Sequence, residues 1–124
     1  MMTKILIVDD DSQITAMLEK ILSMDGFEVV SVNDSKQAMT VAASTNPNFF
    51  ILDLMMPEPN GFEITRMLRA DSKFAKTPIL IITASDDADS KAIAYVAGAD
   101  DYITKPFQNE DLTSSIRTLL AKIE

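Results

Sequence analysis

The sequence contains no cysteine and no histidine among its 124 residues. The absence of cysteine excludes disulfides and thiol chemistry on this chain. The absence of histidine excludes an imidazole general base, a histidine metal site and a phosphohistidine. Any site of chemistry must therefore be built from carboxylates, hydroxyls and amines.

Positive charge is also scarce, because 11 lysines and arginines stand against 19 aspartates and glutamates, for a net charge of -8. Such a surface should repel nucleic acid and anionic membrane, so we expect neither as a direct partner. The apolar start of MMTKILIVDDD is ended by acids too early for a signal peptide, and no run reaches transmembrane length. A cytoplasmic protein is expected. No phosphate-binding loop of the usual kinds is present.

What the chain does contain is a regular alternation of strand-like and helix-like segments. The first apolar run, KILIVDD, lacks polar alternation, which is typical of a strand buried on both faces of a parallel sheet. Four further strands are predicted in FEVVSV, NFFILDL, TPILIITAS and DDYITKPF. With 47% hydrophobic residues and no linker, residues 1–124 are predicted to form one α/β domain, a doubly wound parallel sheet with helices on both faces.

Helical spacing predicts which side chains face the core. Asp11 or Ser12 can cap the first helix, and Gly26 can end it. The predicted inward positions are Ile14, Met17, Leu18, Ile21 and Leu22 in the first helix, Phe62, Met67 and Leu68 in the third, and Leu112, Ile116, Leu119 and Leu120 in the last. The eight methionines are interpreted as core filler rather than as a binding surface.

Polar residues of particular kinds follow the predicted strands. Ligands of open parallel sheets bind beyond the carboxyl ends of the strands, so these residues are predicted to converge at one edge. They are Asp9 and Asp10 after the first strand, Asp53 after the third, Thr83 with Ala84 and Ser85 at the fourth, and Lys105 with Pro106 at the fifth. After the second strand, Asn33 and Asp34 are interpreted as turn and capping residues only.

Three acids, a hydroxyl and an amine at one edge indicate a particular chemistry. Neighbouring carboxylates repel one another unless a cation intervenes, and Mg²⁺, with Mn²⁺ as an alternative, suits oxygen ligands of this kind. A lysine ammonium and a threonine hydroxyl can bind phosphoryl oxygens. This combination is typical of phosphoryl-transfer sites, in which a carboxylate can act as the nucleophile and form an aspartyl phosphate.

Four motifs carry a resemblance to a known family. ILIVDDD, ILDLMMPEPNG, IITAS and GADDYITKPF, in this order and spacing, resemble the motifs of the receiver domain of two-component response regulators. The resemblance covers residues 1–124. It implies the CheY-like, flavodoxin-like (βα)5 fold, a five-stranded parallel sheet with strand order 2-1-3-4-5.

The resemblance also implies a role for each acid. Asp53 would be the phosphoacceptor, receiving its phosphoryl group from a sensor histidine kinase or a phosphotransfer protein. Asp10 and Asp53 would bind Mg²⁺ directly, Asp9 would bind it through water, and the backbone carbonyl of Met55 would be a further ligand.

The remaining implied roles concern the switch. Lys105 would pair with Asp53 at rest and with the phosphoryl group afterwards, while the Thr83 hydroxyl and the Ala84 backbone would bind phosphoryl oxygens. Tyr102 would change rotamer, altering the face formed by the fourth helix, the fifth strand and the fifth helix. The family also has a cis peptide bond before the proline that corresponds to Pro106.

Some positions depart from the family pattern. Met55 and Ser85 do not offer side chains that orient an attacking water, so slow to intermediate self-dephosphorylation is expected. The charges of dimerising DNA-binding regulators are matched by Lys91, Asp101, Asp111 and Lys122, but Ser115 replaces an arginine and Val96 an acid. Either a monomer or a phosphorylation-dependent homodimer is compatible with this pattern.

Two other functions remain open from the sequence. A phosphohydrolase with an aspartyl nucleophile uses similar groups, although it usually carries an Asp-x-Asp motif after the first strand and needs a cap insertion. A receiver that docks without phosphorylation is the second alternative, against which the intact acids, Thr83 and Lys105 argue. The receiver could act alone, through a downstream effector protein, or as the receiver part of a larger regulator with an output domain.

Overall fold

A computed structural model describes residues 2–123 and shows strands and helices in strict alternation. A single 3-10 turn at Ser35–Gln37 precedes the second helix. The strands are β1 (Lys4–Val8), β2 (Glu28–Val32), β3 (Phe49–Leu52), β4 (Ile79–Thr83) and β5 (Asp101–Thr104), and the helices are α1 (Ser12–Met24), α2 (Ala38–Thr45), α3 (Gly61–Ala70), α4 (Ala88–Ala97) and α5 (Asn109–Ala121).

All strand pairs are parallel, and the strand order is β2-β1-β3-β4-β5. This order confirms the predicted topology. Every residue of β3 and β4 is buried, as is all of β1 except its first residue. Their continuous apolar runs are explained by helices that cover both faces.

The two faces of the sheet bury separate apolar clusters. Along β1, Ile5 and Ile7 point to the cluster that also contains Leu18 of α1 and Ile116 of α5. The alternate residues of β1 belong to the cluster on the other face, to which α2, α3 and α4 contribute Ala38, Ala42, Ile64, Leu68 and Ala94. The alternation follows from the two-residue period of a strand and confirms the doubly wound architecture.

Side-chain caps fix where helices begin after the strands. The Asp11 carboxylate accepts from the Gln13 amide at the start of α1, as the sequence predicted, and Asp34 accepts from the Lys36 amide. The start of α3 carries a capping box between Asn60 and Glu63. These caps satisfy amides that a helix or a 3-10 turn leaves unpaired, so the chain enters α1, the 3-10 turn and α3 in a defined direction.

The interpretation of the methionines as core filler is wrong for five of them. Their exposed fractions are 59% for Met2, 41% for Met17, 82% for Met24, 63% for Met55 and 38% for Met67. In α3 the buried positions are Gly61, Ile64, Thr65 and Leu68. The inward stripe of α3 therefore runs one position away from Met67, and the helical pattern alone did not settle which apolar residues line it.

Among the helices of residues 2–123, none has the length and apolar character needed to cross a membrane.

Candidate functional site

The carboxyl end of the sheet carries two buried aspartates on adjacent strands. Asp9 follows β1 and Asp53 follows β3, and the register that aligns Val8 with Leu52 makes the two acids neighbours. Only 3% of Asp9 and 6% of Asp53 is exposed. Asp10 is exposed to solvent, and the three acids each offer a carboxylate oxygen within 4.8 Å of the others. The fold thus gathers the three predicted acids into one cluster.

Lys105 brings a positive charge to this cluster from the loop after β5. Its Nζ donates to Asp9 Oδ2 at 2.8 Å and to Asp53 Oδ2 at 3.4 Å. The pairing with Asp53 expected from the resemblance is present, but the shorter contact goes to Asp9. One lysine therefore serves two buried carboxylates.

Burial and charge act in opposite directions on these groups. Burial raises the pKa of Asp9 above its ordinary value, and hydrogen bonds from Lys105 and the Asp11 amide offset only part of this. Burial alone would lower the pKa of Lys105, but the hydrogen bond to Asp9 and the charge of Asp53 leave that pKa raised. Lys105 is therefore protonated at neutral pH, while ionised Asp9 is incompletely compensated.

The acids fit a hard divalent cation. Such an ion prefers carboxylate oxygens and takes part of its coordination from water, which can reach the exposed Asp10. A dication would also favour the ionised form of Asp9, which burial disfavours. Asp9, Asp10 and Asp53 are the residues that could hold it, and Met55 lies two positions beyond Asp53.

The loop between β3 and α3 is packed closely around Asp53. The amide of Met55 donates to Asp53 Oδ1 at 3.2 Å. A Cβ at Gly61 would collide with the backbone of Asp53, so only glycine allows α3 to start this close to the acid. The peptide bond between Glu58 and Pro59 in this loop is cis, as is the bond between Lys105 and Pro106.

Thr83 and Tyr102 are linked through the segment after β4. Thr83 is fully buried at the end of β4, and its Oγ1 lies 3.5 Å from the Ser85 amide. The Tyr102 hydroxyl donates to the Ser85 carbonyl at 2.5 Å. Burial raises the pKa of the Tyr102 hydroxyl, and the nearby acids raise it further. The hydroxyl therefore stays protonated and able to donate at neutral pH. Ala84, between Thr83 and Ser85, is exposed.

The face formed by α4, β5 and α5 carries exposed apolar side chains beside charges. The exposed fractions are 89% for Val96 and 46% for Tyr95. Asp101 accepts a hydrogen bond from the Ser115 hydroxyl at 2.5 Å, so the serine that replaces an arginine partners this acid within the chain. Lys91 Nζ lies 5.8 Å from the centre of the Tyr102 ring.

Sequence reasoning missed two contacts from the end of β2. The side-chain amide of Asn33 donates to the backbone carbonyl of Asp9 at 2.9 Å. The buried Ser35 hydroxyl donates to the backbone carbonyl of Pro57 at 2.9 Å. Both acceptors belong to loops that carry acids of the cluster. The predicted position of β2 beside β1 was the only sequence signal for these contacts. Asparagine and serine are so common in turns that their presence after β2 did not indicate a role at the site.

Comparison with known proteins identifies the family of the chain. The sequence matches the response regulator receiver domain over residues 5–117. It is 40% identical over 121 residues to the probable transcriptional regulator ycf27 of Cyanophora paradoxa and 38% identical over 122 residues to the DNA-binding response regulator MtrA of Mycobacterium tuberculosis. These alignments cover 98% of this chain but 49% and 52% of the relatives, so the chain spans about half their length.

Solved structures give the same result for the fold. The chemotaxis protein CheY4 of Vibrio cholerae superposes with a TM-score of 0.91 at 31% sequence identity, covering 96% of this chain and 99% of that one. A putative response regulator from Chloroflexus aurantiacus has a TM-score of 0.93, also at 31% identity, with 98% and 99% of the two chains covered. The sequence match, the sheet order and the acidic cluster agree, and the chain belongs to the receiver domain family of two-component response regulators.

Proposed function

We propose that this receiver is a phosphorylation-controlled switch in which Asp53 accepts a phosphoryl group from the phosphohistidine of a sensor histidine kinase or phosphotransfer protein. The observation that carries the proposal is the cluster itself. Two buried carboxylates and an exposed one lie within 4.8 Å of one another, and a protonated lysine contacts the two buried ones.

The transfer requires a nucleophile and a leaving group. A carboxylate oxygen of Asp53 forms a bond to phosphorus while the bond from phosphorus to the donor's imidazole nitrogen breaks, and the electron pair of that bond remains on the nitrogen. The product is an acyl phosphate on Asp53. Lys105 lies 3.4 Å from Asp53 Oδ2 and stays protonated, so it can neutralise charge on the transferred group.

Receiver domains generally bind Mg²⁺ at an acidic pocket, and the acids of this chain fit that ion. We assign Asp10, Asp53 and the Met55 carbonyl as direct ligands and Asp9 as a ligand through water. When bound, the ion supplies charge neutralisation and orientation for phosphoryl oxygens. Asp9 is the acid with the shorter contact to Lys105, which suits a role one water removed from the metal.

Thr83, Ala84 and Tyr102 would convert phosphorylation into a change of surface. The Thr83 hydroxyl and the Ala84 backbone would bind phosphoryl oxygens, and any shift of this segment would strain or release the Tyr102 contact to the Ser85 carbonyl. Tyr102 lies beside Lys91 on the face of α4, β5 and α5. The acyl phosphate would shift an equilibrium between two surfaces by its difference in interaction free energy with them.

The output would pass through protein contacts. DNA binding is named for MtrA, whereas this chain has a net charge of -8 and a receiver fold. We infer a downstream effector protein or an output domain as the recipient of the signal, with the receiver either monomeric or dimeric when phosphorylated. The chain would catalyse only its own phosphorylation and dephosphorylation, as a signalling domain.

Intact-mass measurement after incubation with acetyl phosphate and Mg²⁺ tests the acceptor. Wild-type protein should gain the mass of one phosphoryl group, and Asp53→Asn should gain none. Asp111→Asn, an exposed acid on α5, is the matched control and should behave as wild type. A wild type that gains no mass, or an Asp53→Asn variant that gains it, would overturn the assignment. Steady turnover of small phosphate esters would instead indicate the phosphohydrolase.

A further inference from the structure

We propose that residues 33–35, the loop that follows β2, position the metal-binding acids by holding both of the loops that carry them. The proposal rests on the function proposed above, since it concerns the same site. Its two contacts come from Asn33, which holds the loop after β1, and from Ser35, which holds the loop after β3.

The Asn33 side chain fixes the peptide unit between two of the acids. Its Nδ2 donates to the backbone carbonyl of Asp9 at 2.9 Å, and this carbonyl belongs to the peptide bond that joins Asp9 to Asp10. The amide of Asp9 donates to the Val32 carbonyl at 3.1 Å. The backbone of Asp9 is therefore held by the β2 segment on both sides, and the direction in which the chain continues to Asp10 is set.

Asn33 also connects this peptide unit to the first turn of α1. Its Nδ2 lies 3.0 Å from Thr15 Oγ1, and Thr15 is only 3% exposed. The Thr15 hydroxyl in turn donates to the Ser12 carbonyl at 3.1 Å. A buried hydroxyl thus both accepts from Asn33 and donates to the helix, so the amide of Asn33 is held at two points rather than free to rotate.

Ser35 holds the loop that carries Asp53 and Met55. It is 5% exposed, and its hydroxyl donates to the Pro57 carbonyl at 2.9 Å. Within the loop, the Met55 amide already donates to Asp53 Oδ1. The contact from Ser35 comes from a different part of the chain and fixes the far side of the loop, which limits where the backbone of Met55 can move.

The local backbone explains how one loop serves two sites. Asp34 is extended, with φ of -110° and ψ of 108°, so the side chains on either side of it point in the same general direction. Asp34 itself points away and caps the 3-10 turn through the Lys36 amide. Asn33 and Ser35 are therefore positioning residues that act through backbone carbonyls and do not touch the metal or the phosphoryl group.

Direct Mg²⁺ titration of the metal-free protein by calorimetry tests this role without measuring phosphorylation. Side chains that hydrogen-bond directly to metal ligands typically change metal affinity by 10–100-fold, and Asn33 and Ser35 act one step further out, so their effects should lie at or below the low end of that range. We expect Asn33→Ala to weaken Mg²⁺ binding about tenfold and Ser35→Ala to weaken it several-fold. Ser35→Thr keeps the hydroxyl and should restore wild-type affinity.

Two matched controls remove similar side chains elsewhere. Asn48 also holds the β1 backbone, but at the opposite end of the sheet, where its Oδ1 accepts from the Lys4 amide at 2.8 Å. Ser31 lies on β2 and donates to Glu19 of α1. Asn48→Ala and Ser31→Ala should lose comparable stability in urea and keep their Mg²⁺ affinity within about twofold of wild type.

Amide hydrogen exchange provides a second readout. The amides of Asp11 and Met55, which donate to Asp9 and Asp53, should exchange faster in the Asn33→Ala and Ser35→Ala variants than in either control. If Asn33→Ala does not fold, Thr15→Val removes the second partner of the same amide and should weaken Mg²⁺ binding in the same direction.

The outcomes separate this inference from the function on which it rests. A wild type that binds Mg²⁺ and is phosphorylated on Asp53, with loop variants of equal Mg²⁺ affinity, overturns the positioning role alone. Equal losses of affinity in the loop variants and the controls also overturn it. A wild type that binds no Mg²⁺ overturns both proposals.

Discussion

The two ends of the sheet each hold a partly buried cation, but the partners differ in kind. At the carboxyl end, Lys105 donates to two buried carboxylates, those of Asp9 and Asp53. At the amino end, Arg69 donates mainly to backbone carbonyls. The exposed fractions of the two side chains are similar, at 17% for Lys105 and 19% for Arg69.

The Arg69 contacts join segments that are distant in sequence. The guanidinium donates to the carbonyls of Gly98, Phe74 and Thr77 at 2.7–2.9 Å and to Asp100 Oδ2 at 2.8 Å. Together these contacts tie the end of α3 to the starts of β4 and β5. Neutral carbonyls and one acid match a guanidinium without leaving an excess of charge.

This difference in partners makes the amino end of the sheet structural and the carboxyl end suited to binding a ligand. Three of the four acceptors of Arg69 are neutral carbonyls, which do not titrate, so its contacts mainly hold the fold together. Two ionised carboxylates against one ammonium leave a negative charge, which Asp10 increases. A further cation is therefore favoured at the carboxyl end alone. Three substitutions sharpen this contrast.

The largest effect is expected from Arg69→Met. Three carbonyls and Asp100 lose their donor, so we expect a loss of about 3 kcal/mol in the free energy of unfolding, measured in urea. Arg66→Met is the matched control from the exposed face of the same helix and should change stability by less than about 0.5 kcal/mol. Mg²⁺ affinity should be unchanged in both variants. A weakened Mg²⁺ site in Arg69→Met would show that the two ends are not separate.

Lys105→Met should have the next largest effect. It leaves two buried carboxylates without their cation, and because the site opens to solvent we expect a loss of about 2 kcal/mol without Mg²⁺. Lys4→Met, at the amino end, removes contacts to the Thr45 carbonyl and to exposed Glu28 and should cost less than about 1 kcal/mol.

Added Mg²⁺ distinguishes the two lysine variants further. It should stabilise Lys105→Met more than wild type in urea unfolding, because the acids then lack their resident cation. Lys4→Met should gain as much as wild type. An equal increase in stability on Mg²⁺ addition for all three proteins would contradict the interpretation that Lys105 and the metal neutralise the same carboxylates.

Asp9→Asn should have the smallest effect, and in the opposite direction. The pKa of Asp9 is raised in the folded state, so the folded protein binds a proton at this site more readily than the unfolded chain. The contribution of Asp9 to the stability of the metal-free protein should therefore fall as pH rises from the ordinary aspartate value of 3.8 through the raised one, and then stay level.

The uncharged asparagine in Asp9→Asn should remove this decrease in stability with rising pH. Metal-free Asp9→Asn is expected to be slightly more stable than wild type at pH 7, by less than the change caused by Lys105→Met. Asp34→Asn, an exposed cap, is the control and should keep the wild-type decrease between these pH values. A lower stability of Asp9→Asn at pH 7 would mean that the Lys105 contact outweighs the burial of the acid.

The topology and the acidic cluster could be predicted because each depends on a short pattern. Uninterrupted apolar runs identify buried parallel strands, and the end of each run identifies the residue that reaches the carboxyl edge. Asp9 and Asp53 follow from this rule alone. Their roles in phosphoryl transfer remain predictions.

The rest depends on contacts between segments distant in sequence. Asn33 was interpreted as a turn residue only, because the acceptors of Asn33 and Ser35 lie in other loops, which no local pattern reveals. The exposure of Met24 and Met67 depends on which side of each helix meets the sheet, and apolar spacing leaves that ambiguous by one position. The preference of Lys105 for Asp9 needed the distances themselves.

The Arg69 contact to Gly98 has a mechanical consequence for α4. Gly98 ends this helix, so the Arg69 guanidinium anchors the C-terminal end of α4. The other end of α4 is capped by Asp87 through contacts to Ser90 of the same helix. Just before that end, the Tyr102 hydroxyl donates a hydrogen bond to the Ser85 carbonyl. Loss of the Tyr102 contact would therefore leave the C-terminal end of α4 held by Arg69, and any movement of the helix should be greatest at its N-terminal end, nearest the acids.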